Sequence, residues 1–479
     1  MKTLKTLTPI CLALLLSGCM VGPDYHRPSA DVPLQYKEAK GWQRATPLDA
    51  QPKGEWWRVF NDPELNLLMP QVVLSNQNIA MYAAQYRQAQ ALAAQSKAAL
   101  FPSLGISADS TRSGSHTNSR PVTRTVSNSH SAELTASWEV DLWGRLRRQR
   151  QEDQASASAS AAELANATLS AQSELAQDYF QLRFLDQRIA LYQQSITAYQ
   201  GYLRVITNQY NAGSVDRGTL AQAQMQLSST RSTALDYQWQ RAQLEHAIAL
   251  LVGKTPAQFS LPPAPLQASL PQIPVSVPGS LLQRRPDIAY AERNMAAANA
   301  AVGVAIAGYY PDLTLSASGG FSSSVLHNLF SLPERVWSLG PSLSGTVLDF
   351  GATSASVEQA KASYDASVAS YRQAVLTAMQ DVEDNLVELN TLHQEIDAQQ
   401  QATQAAIDSA RVTRNQYNAG MIDYLDVATT ENSSLSARQS LISLQSSQWL
   451  TSVALIAALG GGWDSSQLPD APSNSHPSQ

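Results

Sequence analysis

The sequence is poor in the residues that usually carry chemistry. Its two cysteines, Cys11 and Cys19, both sit at the N-terminus, so the chain beyond them cannot close an internal disulfide. The seven histidines, at positions 26, 116, 130, 246, 327, 393 and 476, show no metal-ligand spacing and no nucleophile beside them. Val252-Gly253-Lys254-Thr255 suggests a phosphate loop, but that motif needs a glycine five places before Gly253, where Ile248 stands. Charged residues make up only 15%, with a net charge of −6 and no basic patch, which excludes a nucleic-acid partner. Proline is missing between positions 122 and 255 and again between 342 and 468, so two long blocks lack the strongest helix breaker. No catalytic constellation and no cofactor-binding motif is found, and no enzyme activity is expected.

The N-terminus sets the expected compartment. Lys2 and Lys5 precede an apolar stretch over residues 10–16, then Leu16-Ser17-Gly18-Cys19. A basic start, a short apolar centre and small residues describe a secretory signal, far shorter than the roughly 20 residues of a membrane-spanning helix. Leu-Ser-Gly-Cys resembles a bacterial lipobox. That resemblance implies cleavage after residue 18 and a covalent lipid on Cys19 as the only attached group. Met20, in place of Asp, points to the outer membrane.

Beyond this segment the chain repeats itself. Gln209-Tyr210-Asn211-Ala212-Gly213 returns as Gln416-Tyr417-Asn418-Ala419-Gly420 (416 − 209 = 207). Gly144 and Gly351 keep the same offset, as do Gly253 and Gly460. Phe101-Pro102 matches Tyr310-Pro311 at 209. Constant spacing argues for long elements held in register, because loops absorb insertions and packed helices do not.

The proline-free blocks read as helix. Val375, Met379, Val382, Leu386, Leu389, His393 and Ile396 recur at three- and four-residue steps, a coiled-coil-like seam in which His393 corresponds to Asp186 of the first copy. A helix over residues 145–208 would be roughly 96 Å long. Asn-Ala-Gly then supplies a C-cap tolerant of positive φ, and the chain returns over 219–251 or 424–459. Each copy thus predicts a long hairpin with its tip at Gly213 or Gly420.

Ahead of each hairpin the period drops to two. Ala132, Leu134, Ala136, Trp138 and Val140 alternate with Glu133, Thr135, Ser137, Glu139 and Asp141; Leu104, Ile106 and Ala108 form a second such row. In the second copy the rows are Leu313, Leu315, Ala317 and, more weakly, Leu339, Leu343, Val347. Segments with one apolar and one polar face suit a transmembrane barrel. Residues 111–131 and 322–335 are expected to be exposed loops. Four strands cannot close a barrel, and an open edge in hydrocarbon is costly, so the chain is expected to oligomerise.

These landmarks, with Val21-Gly22-Pro23-Asp24-Tyr25, Trp56-Trp57, Asp62-Pro63, Asp141-Leu142-Trp143-Gly144, Leu281-Leu282-Gln283-Arg284-Arg285-Pro286-Asp287-Ile288 and Ala458-Leu459-Gly460-Gly461-Gly462-Trp463, resemble the TolC-like outer-membrane factors, specifically the OprM/NodT-type efflux lipoproteins. The resemblance implies an α+β membrane protein: a homotrimer in which each copy gives four strands to a 12-stranded outer-membrane β-barrel and long α-helical coiled-coil hairpins to a periplasmic tunnel. It implies a periplasmic membrane-fusion adaptor and an inner-membrane RND pump as partners, and small amphipathic compounds as cargo. The expected organisation is a signal over 1–18, a lipidated segment over 19–60, a first repeat over 61–270, a second over 271–463 and a disordered tail over 464–479. By the same resemblance, Tyr417, Leu425, Asp426 and Thr429 fall on the periplasmic gate. Asp426 reads equally as a carboxylate favoured at a helix N-terminus, and Thr429 stands where relatives often have Asp. Gly213, Asp216, Arg217 and Gly420 mark tips expected to meet the adaptor or a neighbouring hairpin, and Arg284 and Arg285 join the two halves. A protein-secretion duct of the same build and a pore-free lipoprotein scaffold remain the alternatives.

Overall fold

The computed structural model describes residues 20–29, 33–38, 54–117, 123–271, 273 and 278–468. Cys19, the expected signal over 1–18 and residues 469–479 lie outside the described residues. The elements run α1 (Pro63–Ser75), α2 (Gln77–Ala98), β1 (Ser103–Thr117), β2 (Thr123–Val140), α3 (Arg145–Asn211), α4 (Arg217–Leu251), a single turn, α5 (Pro286–Ala307), β3 (Asp312–Ser323), β4 (Arg335–Ser344), α6 (Ala352–Asn418) and α7 (Tyr424–Ala458).

The duplication is kept to the residue. α3 and α6 each have 67 residues and α4 and α7 each have 35, with starts 207 apart (352 − 145 and 424 − 217). α2 and α5 each have 22 residues, 209 apart (286 − 77). At 1.5 Å per residue the long helices extend about 100 Å. Such lengths survive in water because tertiary packing, not propensity, holds them.

The fold divides into two compact units assembled from both repeats. The first comprises residues 1–29, 85–160 and 290–372 and holds the sheet. Its order is β1-β2-β3-β4, antiparallel throughout, so β2 of one repeat pairs with β3 of the other and β1 and β4 are left as edges. Leu104 opposes Ala136, Ala136 opposes Ala317 and Ala317 opposes Leu339, which carries the apolar rows onto one face. Ser103, Ser137 and Ser316 line the other. Leu104, Ile106, Leu134, Trp337, Leu339 and Leu343 are all exposed, a contiguous apolar band with no cover in the single chain.

Residues 20–29 belong to this unit and are pinned where strand turns into helix. Val21 N–H donates to the Trp143 carbonyl, and buried Arg148 donates to the Val21 and Gly22 carbonyls and to Asp24. Tyr25 donates to Glu292, and Asn299 donates to the Pro23 carbonyl.

The second unit, residues 30–84, 161–289 and 373–479, holds most of the hairpins. Its core includes an aromatic cluster in which Phe180 lies 5.0 Å from Phe60 and 4.8 Å from Trp449 between ring centres. α7 is apolar and long enough to cross a membrane by composition alone, but nearly half of its most apolar stretch is buried within the chain. Near the helix ends the copies again correspond: Asn76 donates to the Leu251 carbonyl and Arg285 to the Ala458 carbonyl (285 − 76 = 209; 458 − 251 = 207). Arg285 also binds Asp287 and Asp381, which fixes the return of the chain into the second repeat.

Four expectations are corrected. Residues 111–131 are strand for most of their length, since β1 and β2 pair from Ser103↔Ser137 to Thr117↔Thr123. The stretch is polar on both faces and so carries no period-two signal, while backbone pairing needs none. β4 ends at Ser344, so Val347 is not in the strand. The α6 seam passes through buried Leu392, not His393, which is exposed; Asp186 is instead buried against Arg183 and Arg241. Residues 464–468 of the expected tail are ordered, with Asp464 capping a short turn and Leu468 packed near Ala162 and Ala289.

Candidate functional site at the hairpin tips

Both tips lie in the second unit and are built alike. α3 ends with Gly213 at φ +73, the Ser214 N–H bonding back to the Gln209 carbonyl at 2.8 Å. α6 ends with Gly420 at φ +73, and Met421 N–H reaches the Gln416 carbonyl at 2.9 Å. This six-to-one bond needs a left-handed residue, which glycine adopts without strain.

The tips differ in how the chain re-enters. At the first, Asp216 is the N-cap of α4 and accepts from Thr219 N–H at 3.0 Å and its hydroxyl at 3.2 Å. Those bonds hold the fully exposed Asp216 carboxyl below its ordinary range. Its neighbour Arg217 is exposed. At the second tip the N-cap position belongs to Asp423, with no side-chain bond, and Asp426 lies in the first turn. Among the described residues the Asp426 carboxylate takes no hydrogen bond and no ion pair; only its backbone carbonyl accepts, from Thr430. A capping bond therefore does not account for this carboxylate, although the helix N-terminus still favours its charge.

Helical spacing sorts the residues of α7 by face. Tyr424, Val427 and Ala428 are buried with Ile206 of α3 and Ala223 of α4. Leu425, Asp426 and Thr429 point away, all exposed, Leu425 at 60%. The Thr429 hydroxyl is turned back onto the Leu425 carbonyl at 2.8 Å. An apolar side chain and an unpaired carboxylate one residue apart on a free face suit a constriction and an ion-sensitive ring when copies meet. Tyr417 donates to Gln209 at 3.3 Å, tying the second tip to the first.

One residue escaped the sequence reading. Glu431, on α7, accepts from Arg414 of α6 and from Tyr202 of α3 at 3.2 Å, so one carboxylate holds three helices just above the tip. Nothing in the local sequence marks it, because its partners are 17 and 229 positions away. Burial pushes the neighbouring Tyr424 hydroxyl up to about 12.

Away from the tips, a cavity of about 460 Å³ opens between α3, α6 and α7, lined by Glu174, Arg285, Asp287 and Asp381 among others. Next to it, burial and then the Glu174 charge push Asp178 up to about 6. No cluster of three potential metal ligands occurs among the described residues.

An uncovered apolar sheet face, two open strand edges and paired helices of which the longer extend about 100 Å define a subunit of a membrane channel. Comparison with known proteins gives its kind. The profile of the outer membrane efflux protein family matches residues 68–254 and 277–461. The chain is 28% identical over 460 residues to the cation efflux system protein CusC of Escherichia coli O6:H1, covering 95% of this chain and 98% of that one. It is 27% identical over 471 residues to the probable outer membrane lipoprotein SilC of Salmonella typhimurium, covering 97% and 100%. The solved outer-membrane channel OprN superposes with a TM-score of 0.85 at 30% identity, over 93% of this chain and all of that one. The chain belongs to the outer membrane efflux protein family, and it is the outer-membrane channel component of an efflux system.

Proposed function

We propose that three copies of this chain form a passive exit duct, the outer-membrane part of a tripartite RND-type efflux system for small amphipathic compounds. The observation that carries this reading is the sheet: four strands, apolar on one face and Ser-rich on the other, with both outer edges unpaired. In hydrocarbon each unpaired backbone group costs several kcal/mol, so the edges close on further copies, and three copies supply the strands of a 12-stranded barrel. Lipid on Cys19 anchors the same end, because the residues that follow it are fixed to the strand-to-helix junction at Trp143 and Arg148. Leu425 and Asp426 ring the axis at the periplasmic tip, with Thr429 beside them and Tyr417 tying the tip shut. In a trimer the clustered Asp426 carboxylates repel one another and attract cations. Asp216, Arg217 and the turns at Gly213 and Gly420 present the surface for a periplasmic adaptor joined to an inner-membrane pump.

The experiment is conductance of the purified, detergent-solubilised protein in a planar lipid bilayer, paired with drug susceptibility of a strain lacking the gene. Discrete channel openings and sensitisation to dyes and detergents are expected. A silent bilayer at every voltage rejects the duct. Sensitisation to metal salts alone keeps the duct and reassigns the cargo.

A further inference from the structure

The internal repeat has a consequence for the seam between copies. Within the chain, β1 pairs with β2 so that partner numbers sum to 240 (103 + 137), and β3 pairs with β4 so that they sum to 656 (312 + 344). Adding 209 to β1 and 207 to β2 turns the first sum into the second (240 + 209 + 207 = 656), so the ten pairs of the second hairpin match the pairs from Ser103↔Ser137 to Arg112↔Asn128 of the first, residue for residue. The seam between the repeats pairs β2 with β3 at a sum of 453 (140 + 313). Where β2 ends, Trp143 stacks on Tyr310 at 4.6 Å between ring centres, its indole N–H donating to the Pro311 carbonyl at 2.9 Å.

The positions equivalent to this seam at the outer edges are empty in the single chain. Phe350 corresponds to Trp143 (143 + 207), and Phe101-Pro102 corresponds to Tyr310-Pro311 (310 − 209). Phe350 is 93% exposed and Phe101 64% exposed. Phe350 also holds φ at +51, a left-handed conformation uncommon for an aromatic residue, with no ring contact among the described residues.

We infer that the seam between copies repeats the seam between repeats: β4 of one copy pairs with β1 of the next at a sum of 451, and Phe350 covers Phe101-Pro102 of that next copy. The sum follows from 453 + 207 − 209, which sets Ser338 opposite Ser113, Ser342 opposite Asp109 and Ser344 opposite Ser107. The register also keeps the apolar face continuous from one copy to the next. Leu343 falls opposite Ala108, so the apolar rows of both edges meet on one face, whereas a one-residue slip would put apolar against polar. The inference rests on the multi-copy reading above and refines it to named pairs.

Cysteine pairs test it. Opposed residues in an antiparallel ladder have Cα atoms about 5 Å apart, within disulfide reach, and residues shifted by two along the strand fall at about 8 Å, beyond the roughly 7 Å limit. The full-length protein carrying Ser338→Cys with Ser113→Cys, oxidised in outer membranes, is expected to run largely as covalent dimers and trimers that reductant collapses. Ser338→Cys paired with Thr111→Cys or Ser115→Cys is expected to remain at the level of single-cysteine chains. Cross-linking by a shifted pair in place of the predicted one overturns the register and leaves the multi-copy reading standing. A monomer by light scattering in detergent, with no cross-link from any pair, removes that reading as well. For the aromatic contact, Phe350→Ala and Phe101→Ala are each expected to lower the SDS-resistant oligomer fraction, with the double variant no lower than the worse single. Strictly additive losses overturn the contact.

Discussion

Glu431 and Arg414 face each other across the second hairpin, and the same Glu431 oxygen that takes the Arg414 guanidinium also takes the Tyr202 hydroxyl of the first hairpin. The Glu431 side chain is largely buried, 14% exposed, so this pair is screened less than a surface ion pair. Glu431→Gln keeps the shape and removes the charge that holds both partners. We expect a leakier tip, read as a several-fold rise in single-channel conductance, with Tyr202→Phe producing a smaller rise in the same direction. Unchanged conductance in both variants would remove Glu431 from the closure.

Leu425 and Asp426 share the exposed face of α7. Replacing both with Ser should raise conductance and admit vancomycin, while Leu435→Ser, at a buried position on the same helix, should destabilise without that signature. If vancomycin sensitivity stays at the parental level, the constriction lies elsewhere.

Cys19 is the proposed lipid anchor. Cys19→Ala is expected to abolish incorporation of labelled palmitate and to leave the unmodified chain capable of channel formation, because its strands and not its lipid span the membrane. Retention of label would exclude Cys19 as the acylation site.

Asp178 ties stability to pH. Its acid is raised to about 6 by burial and by Glu174, so the folded state favours the protonated form. The sign follows: folding carries no penalty below the unfolded value near 4, and a penalty grows as pH rises through the folded value. Asp178→Asn should therefore melt above the parent at about pH 8 and converge with it at about pH 3.5. The full shift corresponds to about 3 kcal/mol, and water access to this half-buried group reduces the expected gain to about 1–2 kcal/mol. Parallel melting curves across the whole range would refute the assignment.

Gly460 and Gly420 both have positive φ, +100 and +73, but different surroundings. A Cβ on Gly420 meets open space, whereas one on Gly460 would sit 2.1 Å from the Arg284 carbonyl oxygen. Gly420→Ala should cost only the left-handed penalty of about 1–2 kcal/mol. Gly460→Ala adds a backbone clash and should total about 3 kcal/mol or more, measurable as a larger fall in Tm. Equal losses would mean that the Arg284 turn yields freely.

The duplicated helices, their ends and their offset were legible because a 207-residue spacing kept without slippage is what packed helices impose, and Gly213, Gly420, Gly253 and Gly460 each end a helix in the left-handed conformation. The apolar strand rows were legible wherever one face is apolar. Where both faces are polar, as over residues 111–131, backbone hydrogen bonds alone hold the ladder and no pattern records them. Among the tip residues, Tyr417, Leu425, Asp426 and Thr429 were singled out by the family motif that surrounds them, whereas the free state of the Asp426 carboxylate was not legible, since it depends on which neighbours approach.

The sequence by itself determined the unit: two strand-pair-and-hairpin copies, their lengths, and the glycines that end them, all consequences of local periodicity and chain chirality. Tertiary structure decided how those copies meet: β2 on β3, Trp143 on Tyr310, Glu431 across three helices, and β1 and β4 left open. Such pairings join residues up to more than two hundred positions apart, and a linear pattern says which faces must be covered but not by what.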